Sequence, residues 1–328
     1  MFTKLLVPLD RSSLAEQAIG PAAAIARACH AGIDLVLVHE PFPFVGYSEV
    51  LRDSDEWAAE HTYVEKMAAE LTAKASVPTT SVVLRGAAAE MICARAKEAG
   101  CDLVVMTSHG RTGFSRTWLG SVADAVMRHA SIPVLMLRPT EGPATRTAAE
   151  QPFKHVLVTL DGSALAADIL PAATALAQAS GASLTLLRVV PPVPLIVPID
   201  PALPIPNVPL IPDEAATRWL VDETRKELQE IAQRRREECG VAVDAHVVVN
   251  QHAAAAIIDF VRAHEIDVVA MSTHGRGASR WLLGSVADKV LRASGVPVLL
   301  RRPLAAPGES ALVTSSTIAE QLPALSGR

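Results

Sequence analysis

The residues best suited to chemistry occur twice, in two stretches of similar sequence. Residues 106–139 read MTSHGRTGFSRTWLGSVADAVMRHASIPVLMLRP, and residues 271–303 read MSTHGRGASRWLLGSVADKVLRASGVPVLLRRP. With one gap, both stretches contain His-Gly-Arg, then Gly-Ser-Val-Ala-Asp, then an arginine and Pro-Val-Leu. Each stretch begins at the end of one apolar run and ends in another. This pattern predicts a strand, a small-residue loop, a helix and a second strand.

The predicted helix of each stretch begins at a serine that follows a glycine, at Ser121 and at Ser285. An acid stands three residues later, Asp124 or Asp288, and this order predicts a capping box. The glycine lets the backbone approach a ligand closely, and the amide groups and dipole at a helix start favour a phosphate group. The sequence therefore predicts a phosphate-binding loop in each half of the chain.

Each of these signals also has a purely structural interpretation. A serine cap stabilises a helix by about 1 kcal/mol and needs no ligand. The loops contain arginines that are as well explained as solvated surface residues as they are as phosphate ligands. These arginines are Arg111, Arg116, Arg276 and Arg280.

The two loops favour binding over catalysis. His109 and His274 stand at the strand-to-loop boundary, but no Gly-x-Ser-x-Gly elbow surrounds either serine, so a hydrolase triad is not predicted. A P-loop signature is absent and neither loop contains a lysine, which leaves no machinery for rapid phosphoryl transfer. We predict no catalytic residue, and because the remaining histidines show no ligand spacing we predict no metal site.

The composition is that of two ordinary domains with aliphatic cores. The 328 residues are 50% hydrophobic but only 4% aromatic, which suits buried parallel strands flanked by alanine-rich helices. A net charge of −5 offers no electrostatic footprint for duplex nucleic acid. The four cysteines are scattered, and no apolar run is long enough to span a membrane. We therefore expect a soluble cytoplasmic protein with neither a nucleic-acid nor a membrane partner.

The order of elements predicts a parallel sheet in each half. In the first half five apolar runs alternate with four helical patterns, and from Lys154 the same order begins again. Residues 140–152 have the composition of a linker, and the tail 304–328 is expected to be loosely ordered, with at most a short helix around 318–322. The predicted first-half strands are 5–9, 33–39, 79–84, 102–106 and 132–137, and the helices are 12–29, 54–75, 87–99 and the one that begins at Ser121.

A proline-rich insert, residues 191–212, interrupts the second half. So many prolines exclude a regular strand or helix. The insert is interpreted either as a lid or partner-binding segment or as a tolerated surface insertion.

Taken together, the residues resemble the universal stress protein family in its tandem form, over about residues 1–139 and 153–303. The resemblance rests on Asp10 and Asp161, which close the first strand of each half, and on the His-Gly-Arg loop with its delayed Gly-Ser. It implies an α/β, Rossmann-like fold of two open five-stranded parallel sheets, each of order 3-2-1-4-5 with helices on both faces.

ATP-binding members of that family carry Gly, two residues, Gly, nine residues and then Gly-Ser or Gly-Thr. The first half matches at Gly110 and Gly120-Ser121, but Thr107 replaces the first glycine. The second half matches at Gly275 and Gly284-Ser285, but Ser272 replaces the first glycine and only eight residues intervene.

The resemblance implies an adenine-nucleotide site in each half, at the carboxyl ends of the strands where the strand order reverses. The residues implied at the nucleoside end are Pro8, Leu9, Asp10 and Glu40 in the first half, and Thr159, Leu160, Asp161 and Val189 in the second. The residues implied along the phosphate loop are Met106, Thr107, His109, Gly110, Arg111, Gly120, Ser121 and Val122, with Met271, Ser272, His274, Gly275, Gly284, Ser285 and Val286 as their counterparts.

These signals predict an ATP-binding stress-response protein that acts through a conformational or partner-binding change. AMP and ADP are alternative ligands, and Mg²⁺ or Mn²⁺ is expected only as a counter-ion of the nucleotide. A nucleotide-free scaffold and a slow ATPase are alternative functions.

The last strands, 132–137 and 296–300, would be apolar edges if left open. We therefore predict that they join the two halves as an intrachain pseudo-dimer. The alternative is two independent domains on a linker, and a homo-oligomer stays open.

Overall fold

The computed structural model describes residues 1–40, 47–108, 119–139, 153–195, 212–273 and 284–303, with only the backbone described for 47–51. Several predicted features lie outside the described residues: the two glycine-containing loops 109–118 and 274–283, the linker 140–152, most of the proline-rich insert and the tail.

The first half has five strands that alternate with helices. Its strands are β1 (Lys4–Leu9), β2 (Gly32–His39), β3 (Thr79–Arg85), β4 (Leu103–Thr107) and β5 (Val134–Leu137). Its helices are α1 (Ser13–Glu16), α2 (Ile19–Cys29), α3 (Tyr47–Ala75), α4 (Ala88–Glu98) and α5 (Ser121–His129).

The second half repeats this order. Its strands are β6 (His155–Thr159), β7 (Ser183–Val190), β8 (Val243–Val249), β9 (Val268–Ser272) and β10 (Val298–Arg301). Its helices are α6 (Ala164–Ala167), α7 (Leu170–Ser180), α8 (Glu214–Cys239), α9 (Ala253–Ala263) and α10 (Ser285–Ala293). At the base of the proline-rich insert, Pro194 and Pro212 form an isolated antiparallel bridge.

Two predicted helices differ from the structure in extent. The single helix predicted over residues 12–29 is divided into α1 and α2, because the amides of Gln17 and Ala18 bond to carbonyls three residues back, at Leu14 and Ala15. Such tighter bonds mark a 3₁₀-like turn. Helix α3 begins at Tyr47, seven residues before the predicted start at 54.

All ten strands form one sheet, in the order β3-β2-β1-β4-β5-β10-β9-β6-β7-β8. Each half is parallel within itself and has the expected order 3-2-1-4-5. Strands β5 and β10 pair antiparallel, with Leu135 opposite Leu299. The predicted joining of the halves through their last strands is therefore confirmed, and neither apolar strand remains an edge.

Buried apolar residues cover both faces of the sheet. One face packs against α2, α3, α7 and α8, and the other packs against α4, α5, α9 and α10. Helix α2 contacts α7 across the joint between the halves, and its alanines at 22, 23 and 26 are fully buried. Small side chains let these helices lie close to each other and to the sheet.

One charged pair is buried beneath this packing. Asp34 on β2 is 0% exposed, and it accepts hydrogen bonds from Arg95 Nε on α4 at 2.8 Å and from Thr80 Oγ1 on β3 at 2.6 Å. The matching position in the second half is Thr185, whose hydroxyl bonds to His155 Nε2 at 2.7 Å. The two halves therefore share a fold, but at this buried position they have different polar side chains with different hydrogen-bond partners.

All four cysteines lie in the described residues and are free. Burial, together with the nearby charge of Asp34, raises the pKa of the Cys101 thiol to about 11, so this side chain stays a neutral thiol near pH 7. Among the described residues, no helix has the length and apolar character needed to cross a membrane.

The buried Asp34 predicts a large penalty when its cation is removed. We expect Arg95→Ala to lower the free energy of unfolding by about 3 kcal/mol, because it leaves a buried carboxylate without its ion-pair partner. The double variant Asp34→Thr/Arg95→Ala, which adopts the threonine of the second half, should recover much of that loss. Urea denaturation of both variants measures the effect, and equal stability of Arg95→Ala and the parent would contradict it.

Candidate functional site

The site is built where the strand order of the first half reverses. Strand β1 pairs with β2 on one side and with β4 on the other. After β1 the chain turns to α1 and α2 on one face of the sheet, whereas α5, which follows β4, packs on the opposite face. Helices that leave in opposite directions open a crevice at the carboxyl ends of the strands. A cavity of about 490 Å³ lies at this place.

The cavity collects the described residues that were predicted for the first-half site. Those that line it are Pro8, Leu9, Asp10, Glu40, Met106, Thr107, Gly120, Ser121 and Val122. His109, Gly110 and Arg111 lie outside the described residues.

One wall of the cavity is apolar. It is formed by Val36 and Val38 from β2 and by Ala88 and Ile92 from α4. These side chains belong to the buried cluster on the α4 and α5 face. An apolar surface suits the ring system of a ligand, and the cavity volume lies within the range of small-molecule sites.

The start of α5 also lines the cavity. Its N-cap is Gly120, which has no side chain to cap the helix, and the Gly120 amide donates to the Ser108 carbonyl at 2.9 Å. Ser121, Val122 and Ala123 follow and line the cavity. The first amides of a helix have no intrahelical acceptor, so they are available to an anion.

The predicted capping box is wrong in both halves. Asp124 does not reach back to the start of α5 but accepts two hydrogen bonds from Arg128, at 2.9 and 3.0 Å. Asp288 likewise pairs with Arg292, at 2.8 Å. An arginine four residues after the acid competes for the carboxylate.

A serine caps the helix that follows the first strand, and this cap occurs in both halves. Asp10 Oδ1 accepts from the Ser12 amide at 3.0 Å and from its hydroxyl at 2.5 Å, while Ser12 Oγ caps the Ala15 amide of α1. Asp161 holds Ser163 in the same way, at 2.9 and 2.6 Å. Each aspartate therefore has a local structural role that does not require a ligand.

A buried ionic cluster that was not predicted from the sequence lies on the rim of the cavity. His39 Nδ1 lies 2.8 Å from Glu60 Oε2, and its Nε2 lies 2.8 Å from Asp53 Oδ1. The side chains of His39, Asp53 and Glu60 are only 1%, 8% and 2% exposed. Arg85 Nη2 contacts the other oxygen of Asp53 at 2.9 Å. A histidine that ends a strand, followed by two acids seven residues apart on one helix, is the signal that could have found this cluster.

Electrostatics favour the charged form of this histidine. Burial alone would lower the pKa of His39, but hydrogen bonds and charges from Asp53 and Glu60 outweigh it, so the pKa is raised above its ordinary value. The Trp57 ring packs edge-on against the imidazole, and the Arg85 guanidinium lies over the same indole. The cluster thereby fastens α3 to the ends of β2 and β3.

The second half brings its predicted residues to the same edge of the sheet. At one end of the site, Thr159 ends β6, Leu160 and Asp161 follow it, and Val189 lies in β7. At the other end, Met271 and Ser272 end β9, Gly284 is the N-cap of α10, and Ser285 and Val286 begin that helix. His274 and Gly275 lie outside the described residues.

One hydrogen bond joins two elements at this second edge. The Ser272 hydroxyl donates to the Leu165 carbonyl at 2.6 Å and so joins the end of β9 to α6. Thr107, at the corresponding position of the first half, lines the cavity.

Comparisons with known proteins agree with this architecture. The sequence model described as the Universal stress protein family matches residues 1–138 and 152–302. A universal stress protein of Methanocaldococcus jannaschii is 32% identical over 147 residues, which cover 42% of this chain and 83% of that protein. One from Mycobacterium bovis is 32% identical over 141 residues, which cover 41% of this chain and 45% of that protein.

A solved structure supports the fold over nearly the whole chain. The crystal structure of a universal stress protein from Archaeoglobus fulgidus aligns with a TM-score of 0.64 at 19% identity. The alignment covers 92% of this chain and 98% of that one. At this identity the likeness speaks for the fold.

Because the Asp-Ser cap occurs in both halves, the structural role of the aspartate can be tested separately from a role in ligand binding. We expect Asp10→Ala and Asp161→Ala each to lower the free energy of unfolding by about 1 kcal/mol, because each loses the carboxylate that holds a capping serine. Chemical denaturation measures both variants. An unchanged stability in either variant would contradict the capping role, and a loss of ligand affinity in Asp10→Ala alone would add a binding role for Asp10.

Proposed function

The chain belongs to the universal stress protein family, and we propose that the cavity of its first half binds ATP. Nucleotide binding is typical of this family. In this proposal the bound nucleotide changes the conformation of the protein or its affinity for a partner, as part of a stress response in the cytoplasm.

The observation that carries the proposal is the composition of one cavity. Apolar residues from β2 and α4, a helix start whose N-cap is a glycine, and Asp10 all line it. A nucleotide needs these three features: a surface for the base, a polar group near the ribose and backbone amides for the phosphates.

Different residues of the cavity would contact different parts of the nucleotide. The base would lie against Val36 and Val38, with the backbone at Glu40 beyond the end of β2 within its reach. The phosphates would lie at the amides of Ser121 and Val122, where Gly120 adds no side chain that would keep them away.

The charge of the described cavity makes counter-ions important. Among its described lining residues are four carboxylates, Asp10, Glu40, Glu56 and Glu60, and no lysine or arginine. A nucleotide would therefore use the helix amides and a bound Mg²⁺ or Mn²⁺ for charge compensation. The loop arginines Arg111 and Arg116, outside the described residues, are further candidates.

The cavity favours binding over hydrolysis. Of the carboxylates on its rim, Glu60 is engaged by His39 and Glu56 lies 3.6 Å from Arg11. A general base must reach the attacking water in the correct protonation state, and these ion pairs oppose that.

The second half is proposed as the weaker site. Its glycine spacing is one residue shorter than that of the first half and departs further from the pattern of ATP-binding members. We therefore expect one dominant ATP site per chain.

Two glycine variants test this proposal against a matched control. Gly120 has φ −60° and Gly284 has φ −57°, values that alanine adopts readily, so neither substitution strains the backbone. We expect Gly120→Ala to weaken ATP binding at least tenfold, because its methyl group enters the cavity beside the helix amides, and Gly284→Ala to keep the affinity of the dominant site. Isothermal titration with ATP and Mg²⁺ measures both variants.

Two outcomes of this titration would contradict the proposal. The first is the absence of binding heat in the parent protein. The second is an affinity of Gly120→Ala equal to that of the parent, and either result would favour a nucleotide-free scaffold.

A further inference from the structure

The hydrogen bonds of His39 require a bound proton. A neutral imidazole has one N–H donor and one acceptor nitrogen. Both ring nitrogens of His39 lie 2.8 Å from a carboxylate oxygen, one from Glu60 and one from Asp53. Two carboxylates accept only if both nitrogens donate, so this geometry holds an additional proton, on the ring or on one of the acids.

The two acids differ in their other partners. Asp53 also accepts from Arg85, whereas the partner of Glu60 among the described residues is His39. Loss of the proton leaves one nitrogen without a hydrogen to donate. The contact with Asp53 is then the one that is lost at lower cost, because Asp53 keeps its arginine, and Glu60 keeps a neutral donor in place of a cation.

Glu60 and His39 both line the cavity that we propose as the ATP site. The other titratable or charged groups that face this region are Asp10 and Arg11 after β1, Glu40 after β2, Glu56 and His61 on α3, and Arg85 on β3. Three of these are carboxylates on the same cavity. Once the imidazole is neutral, no positive charge on it balances the Glu60 carboxylate, and the net negative charge rises where an anionic ligand must enter.

In the second half, uncharged residues occupy the positions that correspond to this cluster. Strand register places Val190 at the position of His39 and Val249 at that of Arg85. Counting back from the paired strands places Thr217 at the position of Asp53 and Thr224 at that of Glu60. The fold thus accommodates uncharged residues at all four positions, so the frame itself does not need the ionic cluster.

We propose that His39 is a proton-binding positioning residue that makes anionic-ligand affinity in the first half depend on pH, through the charge of Glu60. This inference rests on the proposed nucleotide function of the same cavity. The second half has no counterpart of His39 at this position, so its edge should not respond to this proton.

The direction of the pH effect follows from the raised pKa of His39. A histidine whose pKa is higher in the folded than in the unfolded state stabilises the fold below its unfolded pKa. That stabilisation is lost as the pH rises through the folded pKa. Ligand affinity should fall over the same range, by at most tenfold per pH unit, because a single proton is involved.

The first experiment tests the proton site without any ligand. Histidine NMR spectra are recorded against pH for the parent, for Glu60→Gln and for the triple variant His39→Val/Asp53→Thr/Glu60→Thr, which installs the residues of the second half. We expect the His39 resonance, assigned by its absence in the triple variant, to titrate above the other histidines in the parent. We expect its midpoint to fall by at least half a pH unit in Glu60→Gln. Titration of His39 with the exposed histidines would overturn the inference.

The second experiment measures ATP affinity from pH 6 to pH 9 by isothermal titration for the same three proteins. The titration of the ATP phosphates is common to all three, so the ratio of affinities between parent and variant isolates the contribution of the cluster. We expect the parent to lose affinity relative to both variants, by about tenfold across the His39 transition. Glu60→Gln retains the shape of the side chain, so a triple variant that fails to fold leaves this comparison intact.

The outcomes separate this inference from the proposed function. Parallel pH profiles in the parent and Glu60→Gln, with ATP bound by both, would overturn the His39 inference and leave the nucleotide site standing. No ATP binding by the parent at any pH would overturn both.

Discussion

The structure depends on the position of β1 in the middle of a parallel half-sheet. Because β1 must hydrogen-bond to both β2 and β4, the chain leaves it toward one face, while the helix after β4 packs on the other. Because the chain leaves these two neighbouring strands toward opposite faces, a crevice opens at their carboxyl ends. This reversal of strand order brings three features together: the apolar wall, the helix start and the acid-rich rim.

Comparison of the two halves shows which features the fold retains and which residues can be replaced. Both halves keep the Asp-Ser cap after the first strand and the glycine N-cap of the last helix, with nearly the same distances. In contrast, the buried Asp34 becomes Thr185, and His39 becomes Val190. Buried charges in the first half are thus additions to a fold that also forms without them, and one group of them lies on the cavity.

Local signals made part of this structure predictable. The parallel sheet of each half followed from alternating apolar and helical patterns, and its strand order followed from the family resemblance. The pairing of the last strands followed from the need to cover two apolar edges. The Asp10 cap was predictable because its partners lie within five residues. The cavity residues were predictable through the family resemblance together with the rule for open parallel sheets.

Sequence-based prediction failed where a side chain had a competing partner or where the interacting residues were far apart in the sequence. The capping box at Ser121 failed because Asp124 had an alternative partner four residues on, a spacing that was visible in the sequence. The His39 cluster was missed because it forms only when α3 packs over β2, which brings residues 14 and 21 positions apart into contact. Histidine spacing alone does not reveal a partner that is supplied by another element.

The central claim is that the first-half cavity is a nucleotide site. A crystal structure of the full chain grown with ATP and Mg²⁺ tests this most directly. The account predicts a nucleotide whose base lies against Val36 and Val38 and whose phosphates reach the amides that begin α5. A first-half cavity that holds no nucleotide, with the Thr107 side chain or the neighbouring loop packed into the space beside Gly120, would contradict it.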